Sequence, residues 1–152
     1  MHIQPYLFFD GCCDEAIAFY RQALGAEVLM LMRYGEGPDG SAQCPDGTSP
    51  PADKVMHACL QVGSTQIFLS DGFSAGKPEF KGISLSLSAA DDAEARRLFD
   101  ALAEGGQVQQ PLIATFFSSS FGMVADRFGV AWMVLVPQAA PGHPAVEGRV
   151  AR

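Results

Sequence analysis

The chain has 152 residues, of which 48% are hydrophobic and 18% charged, and it carries a formal net charge of −7. This is a globular composition, long enough for one domain with a buried core. The acidic balance, with ten scattered basic residues, argues against a nucleic-acid partner, which needs concentrated Lys and Arg. No apolar run approaches the roughly 20 residues of a membrane-spanning helix. The opening "MHIQPYLFFD" lacks the basic start of a signal peptide. A cytoplasmic protein with reduced cysteines (Cys12, Cys13, Cys44 and Cys59) is expected.

In chain order, residues 3–9 read as a short buried strand, with Pro5 favouring its start or an edge. Residues 13–24, "CDEAIAFYRQAL", place Ala16, Ile17, Tyr20, Ala23 and Leu24 on one helical face, and Gly25 ends the helix. Residues 27–34, "EVLMLMRY", form a strand. Residues 35–53 form a Gly/Pro/Asp loop longer than a compact domain usually carries. Strands 54–62 and 66–71 make a hairpin around Gly63-Ser64, and 72–81 links to a second half.

The pattern then restarts. "ISLSLS" (83–88) alternates as a half-exposed strand. Residues 92–106 form an amphipathic helix ending at Gly105-Gly106, and 107–114 a broken strand. Strands 119–126 and 130–136 form a hairpin, with Asp126 and Gly129 at the ends of a type I turn. The tail, 137–152, is rich in Pro, Ala and Gly and is expected to be mobile. Glu15-Ala16 is echoed by Glu94-Ala95, and Phe19-Tyr20 by Leu98-Phe99. The expected fold is therefore α+β, with two tandem βαβββ modules at 1–71 and 82–136 whose sheets cover each other's apolar faces.

The repeat also interprets the adjacent Cys12-Cys13. Asp91-x-x-Glu94 has the form of a capping box, and Cys12-x-x-Glu15 occupies the same frame in the first half. Cys12 is thus expected at a cap position and Cys13 in the first turn. No C-x-x-C occurs, and a metal site needs three or four converging ligands. Asp10, Asp14 and Glu15 oppose the thiolate that a helix N-terminus favours.

The duplicated modules, "PYLFFDG", "KVMHACLQVG", "ISLSLS" and "FGMVADRFGVAWMV" together resemble the vicinal oxygen chelate superfamily (glyoxalase I, extradiol dioxygenases, fosfomycin and bleomycin resistance proteins). The likeness is closest to its PhnB-like branch, often labelled demethylubiquinone methyltransferase-like, and covers roughly residues 3–136. It implies that each sheet curls into a half-barrel, that two half-barrels make an open cup, and that the chain forms a homodimer. In the superfamily the cup often holds a divalent metal that polarises a substrate with two adjacent oxygens. The ligand positions fall here near Pro5, at Gly82 or Ser84, and at Met133, where "DRFGVAWM" stands for the usual "DPDGNxxE". These residues bind hard cations poorly or not at all, so no metal cofactor is expected. The methyltransferase label finds no strand–Gly-rich loop–helix unit for S-adenosylmethionine.

His57 is the leading candidate for chemistry. Alternation puts Cys59 and Gln61 on its side of the strand, where it serves either the cup or a hydrogen-bonded contact between modules or subunits. Tyr6, Phe8, Phe68, Phe116, Phe117, Phe121, Trp132 and Met133 are candidates for an apolar cup wall. Asp126-Arg127, Asp10 and Asp71 read as turn residues, Ser118–Ser120 lack a nucleophile context, Arg96-Arg97 lie on a solvated helix face, and His2 and His143 are solvated near the termini. The expected function is small-molecule binding in a metal-free apolar cup. The alternatives are a metal-dependent glyoxalase-type lyase, isomerase or dioxygenase that recruits His57, and an interaction module using the 35–53 loop, which otherwise serves as a lid.

Overall fold

A computed structural model describes residues 1–36, 50–72 and 77–138. Cys44, His143, most of the 35–53 loop, part of the 72–81 linker and nearly all of the tail lie outside the described residues. The chain divides into two compact units, Met1–Glu79 and Phe80–Arg152.

The first unit runs β1 (Tyr6–Phe8), α1 (Cys13–Leu24), β2 (Glu27–Arg33), a 3-10 turn at Tyr34–Glu36, β3 (Val55–Val62) and β4 (Thr65–Ser70). The second runs β5 (Leu85–Ser88), α2 (Asp92–Ala103), β6 (Gln107–Ile113), β7 (Ser118–Ala125) and β8 (Ala131–Pro137). Each is strand–helix–strand–strand–strand, as the repeat predicts. The two sheets have equivalent orders, β1-β4-β3-β2 and β5-β8-β7-β6, each an open sheet of four strands. In each, the first strand pairs in parallel with the last, and the other pairs are antiparallel. Both helix ends repeat with one offset (92 − 13 and 103 − 24, 79 residues). The offset falls to 63 at the third strands (118 − 55), because the first module carries a longer connection between its second and third strands.

Each helix covers one face of its own sheet. The buried face of α1 is Ala16, Ile17, Phe19, Tyr20 and Ala23, and Tyr20 meets Phe9 just past β1, with ring centroids 6.5 Å apart. Alternation then puts Leu7, and with it Ala58, Leu60, Ile67 and Leu69, on the helix side, and all five are buried. Gly25 closes α1 in the left-handed region, φ 64°, where only glycine is free of a Cβ penalty. In α2 the capping box forms as read. Asp91 accepts from the Glu94 N–H at 2.8 Å, while the Glu94 carboxylate reaches back to the Ala90 N–H at 2.7 Å.

Arg33, at the end of β2, ties this edge to the helix. Its guanidinium forks onto Asp14 with both N–O distances at 2.9 Å and also donates to the Asp53 carbonyl at 2.7 Å. The hydrogen bonds and charge of Arg33 hold Asp14 below its ordinary pKa. A depressed carboxylate adds stability above its unfolded-state pKa and loses it as pH falls through its lower folded-state pKa. The stability difference between the wild type and Asp14→Asn is therefore expected at neutral pH and should vanish in strong acid. Parallel urea titrations across that range check it. The difference should be small, because both partners are solvated.

Candidate functional site

The face of the first sheet opposite α1 gathers the polar and aromatic residues. Tyr6 is partnered by Phe68 and Phe68 by Cys59, while Cys59 is partnered by Met30 and His57 by Met32. Directly paired residues share a face, so one surface carries Tyr6, Phe8, Phe68, His57, Cys59, Met30 and Met32. The Tyr6 hydroxyl and His57 Nδ1 lie 2.7 Å apart. The Tyr6 ring stacks on Phe8 at 4.8 Å between centroids, and Phe68 lies 5.8 Å from Tyr6 and 5.2 Å from His57. Rings this close form a platform with one imidazole at its edge. The platform is open: Tyr6 is 40% and Phe8 47% exposed. Desolvation raises the Tyr6 phenol above its ordinary pKa, so it stays a protonated hydrogen-bond donor at neutral pH. Cys59 is buried beneath the platform.

The sequence reading put Tyr6, Phe8, Phe68, His57 and Cys59 together, and here they share one surface. It missed Met30 and Met32, although the two-residue period of "EVLMLMR" carried the signal. It also missed the Tyr6–His57 contact, which joins residues 51 positions apart.

The N-terminus of α1 is built differently from the reading. Cys12 stands at the cap but its side chain makes no capping bond. The bond comes from Asp71, just past β4. One Asp71 oxygen accepts from the Cys13 N–H at 3.0 Å and the other from the Val55 N–H at 2.9 Å. Asp71 is 5% exposed, so it is a buried tie between α1, β3 and β4 rather than a simple turn residue. Burial, with Glu15 and Asp71 nearby, raises the Cys12 thiol pKa, and burial with Asp71 raises Cys13 further. Both should therefore alkylate far more slowly in the native protein at pH 8 than after unfolding. Peptide mass spectrometry after iodoacetamide treatment checks this.

In the second unit a Cβ built on Gly122 would lie 2.6 Å from the Phe99 ring of α2, which marks the helix side of that sheet. Gly122 pairs with Val134 and Val124 with Trp132, so Trp132 is on the covered side. It is 4% exposed, and its indole N–H donates to Asp126 at 2.9 Å. Trp132 thus belongs to the core and not to a cup wall. Neighbours in a strand face opposite ways, so Trp132 and Met133 cannot line one surface. Met133 does lie on the open side, paired with Met123 and next to the Phe121–Leu135 pair. Phe116 is 96% and Phe117 43% exposed, and an edge-on chain of rings runs from Phe116 through Phe117 to Phe121 at 5.1 and 5.2 Å. The same open side also carries Ser86, paired with Met133, and Gln110, paired with Met123, but among the described residues it carries no histidine.

Asp126 holds the β7–β8 turn as read. It accepts from the Phe128 and Val130 N–H groups at 2.9 and 3.1 Å, and the Gly129 N–H closes the turn on the Asp126 carbonyl at 2.9 Å. Ser118 is buried and its hydroxyl bonds the Ser120 and Val136 backbones. Ser119 and Ser120 both donate to Asp92 at 2.6 and 2.7 Å, which lowers the Asp92 pKa. Arg96 and Arg97 are exposed, with long contacts to Asp100 and Glu94.

Donor chemistry decides the fit of a divalent metal. The residues at the implied ligand positions are Pro5, Gly82 or Ser84, and Met133, and among the described residues no three His, Cys, Asp or Glu side chains converge where they would hold an ion. His57 already engages Tyr6 through Nδ1. These residues do not fit a hard divalent cation. Among the described residues, no helix is long and apolar enough to cross a membrane.

Comparison with known proteins places the chain. Residues 1–135 match the family described as 3-demethylubiquinone-9 3-methyltransferase. Protein YjdN of Escherichia coli (strain K12) is 37% identical over 145 residues, covering 93% of this chain and 99% of that one. The crystal structure of protein PA1353 from Pseudomonas aeruginosa is 45% identical, with a TM-score of 0.77, over 91% of this chain and 99% of that one. A PhnB protein from Bacillus cereus is 26% identical, with a TM-score of 0.73, over 90% and 99%. At the level of fold alone, a glyoxylase/bleomycin resistance protein/dioxygenase domain from Frankia sp. EAN1pec superposes with a TM-score of 0.63 at 17% identity, over 90% and 95%. The chain therefore belongs to the 3-demethylubiquinone-9 3-methyltransferase family, the PhnB-like branch of the glyoxalase/bleomycin resistance/dioxygenase fold.

Proposed function

We propose that this chain is a small-molecule-binding protein whose ligand lies on the open face of the first sheet. Apolar surface comes from the stacked Tyr6–Phe8 pair and the Phe68 ring tilted 53° from Tyr6, and the polar end from the Tyr6–His57 pair. The observation that carries the reading is the 2.7 Å Tyr6–His57 contact set among aromatic rings that remain solvent-accessible. A mostly apolar surface with a few convergent polar groups is what small-molecule sites present. On this reading the ligand is held without a divalent metal, in the cytoplasm, by a homodimer. Exposed Leu29 and Leu31 on the edge strand β2 support the dimer, because such edges are usually covered.

A thermal-shift screen with flat phenols, aryl ketones and quinones tests it, with S-adenosylmethionine included. A ligand at about 100 times its Kd stabilises the folded state by about 2.7 kcal/mol, roughly 5–10 °C for a chain of this size. At least one aromatic compound is expected to reach that shift in the wild type and to lose most of it in Phe68→Ala. A panel without any shift, or one unchanged in Phe68→Ala, contradicts the reading. A shift with S-adenosylmethionine alone would favour the methyl transfer that the family's description names.

A further inference from the structure

We infer that Tyr6 is a positioning residue that fixes His57 with its proton on Nε2, making the platform selective for flat aromatic ligands that carry a hydrogen-bond-accepting oxygen. The inference rests on the reading above that the platform binds small molecules, and it names what distinguishes one ligand from another.

The geometry offers two arrangements. Either the Tyr6 hydroxyl donates to a bare Nδ1, or a protonated Nδ1 donates to the phenol oxygen. A phenol O–H is a far stronger acid than the N–H of a neutral imidazole, and the bare imidazole nitrogen is a far stronger base than a phenol oxygen. The bond is strongest with the more acidic group donating, so Tyr6 donates and the imidazole proton sits on Nε2. Among the described residues His57 has no hydrogen-bond partner besides Tyr6, so none of them occupies this N–H.

The surroundings set the shape of that ligand. Phe68 lies 5.2 Å and Tyr6 5.4 Å from the His57 ring, with Phe8 stacked beyond Tyr6. These rings touch one another, which leaves no gap between them for a caged ammonium group. Apart from the stacked Tyr6–Phe8 pair the rings are tilted 42–53° to one another, so a flat ligand ring packs on one ring's face and edge-on to its neighbours. A donor at the edge of such a surface is left unpaired by a hydrocarbon and paired by a carbonyl or phenolate oxygen. Failure to pair a desolvated donor is costly, so it discriminates more strongly than shape.

Two experiments test the inference. Nitrogen NMR of 15N-histidine-labelled protein in alkaline buffer reads the tautomer without any ligand. A single Nε2–H form is expected in the wild type, and a mixture in Tyr6→Phe. A wild-type Nδ1–H form overturns the inference. The second compares two probes of one shape, 2-acetylnaphthalene and 2-isopropenylnaphthalene, which differ in having a carbonyl oxygen or a methylene. The ketone is expected to bind about tenfold tighter to the wild type, the effect of one net hydrogen bond, and equally with its analogue to His57→Phe, which keeps a flat ring. Equal, measurable binding of both probes to the wild type overturns the inference and leaves the binding reading standing. Binding of neither removes both.

Discussion

Asp71→Ala is expected to lower the stability of the first module by about 3–5 kcal/mol. The carboxylate is buried and each oxygen satisfies a different backbone N–H, that of Cys13 at the start of α1 and that of Val55 at the start of β3. Alanine leaves both donors buried and unpaired, at about 1–3 kcal/mol each, and removes the cap of α1, which Cys12 does not supply. The loss is a large part of the roughly 5–15 kcal/mol that holds a typical domain folded. Asp71→Asn keeps one acceptor and should fall between the wild type and alanine. Urea unfolding followed by far-UV circular dichroism measures both. A loss below about 1 kcal/mol for Asp71→Ala would show that the two N–H groups find other partners.

The second large effect is expected at Asp126, which holds the β7–β8 turn and the indole of Trp132 together. Asp126→Ala strands the N–H groups of Phe128 and Val130 and a buried indole N–H, for a loss of about 3 kcal/mol or more. The chain has a single Trp, so fluorescence reports this site alone. The folded variant should emit at longer wavelength than the wild type as water reaches the indole. An unchanged native spectrum with unchanged stability would contradict the assignment. Because Trp132 reports the second module, it also separates the two predictions. If the modules unfold independently, Asp71→Ala moves the circular dichroism transition and leaves the Trp132 transition in place.

What was legible in the sequence was what is local. Helix α1 was read with the bounds it has, because its apolar spacing and Gly25 are contained in one stretch. The capping box of α2 lies within four residues, and the turn at Asp126 within another four. The duplication was legible because both helices repeat the same face at one offset. The first strand was read too long. Ile3 is 95% exposed and pairing begins at Tyr6, since Pro5 has no N–H to give the ladder.

The candidate site was legible as a set of residues but not as an arrangement. Tyr6 and His57 meet diagonally across β4, which lies between their strands, because the registers set Tyr6 level with Phe68 and Cys59, two residues along β3 from His57. Asp71 looked like a turn residue because its partners are 58 and 16 positions away. Size and aromatic character alone suggest an open surface for Trp132, whereas the alternation of "AWMVLV" requires Trp132 and Met133 to part.

The most direct test of the platform uses the methionines as reporters. Met30 and Met32 border His57 and Cys59 on the open face of the first sheet, while Met123 and Met133 sit on the open face of the second. With 13C-methyl methionine labelling, titration with 2-acetylnaphthalene should move the Met30 and Met32 methyl resonances and leave Met123 and Met133 unchanged. Shifts confined to Met123 and Met133, or none at any of the four at saturating ligand, would contradict a binding platform built on Tyr6, Phe68 and His57.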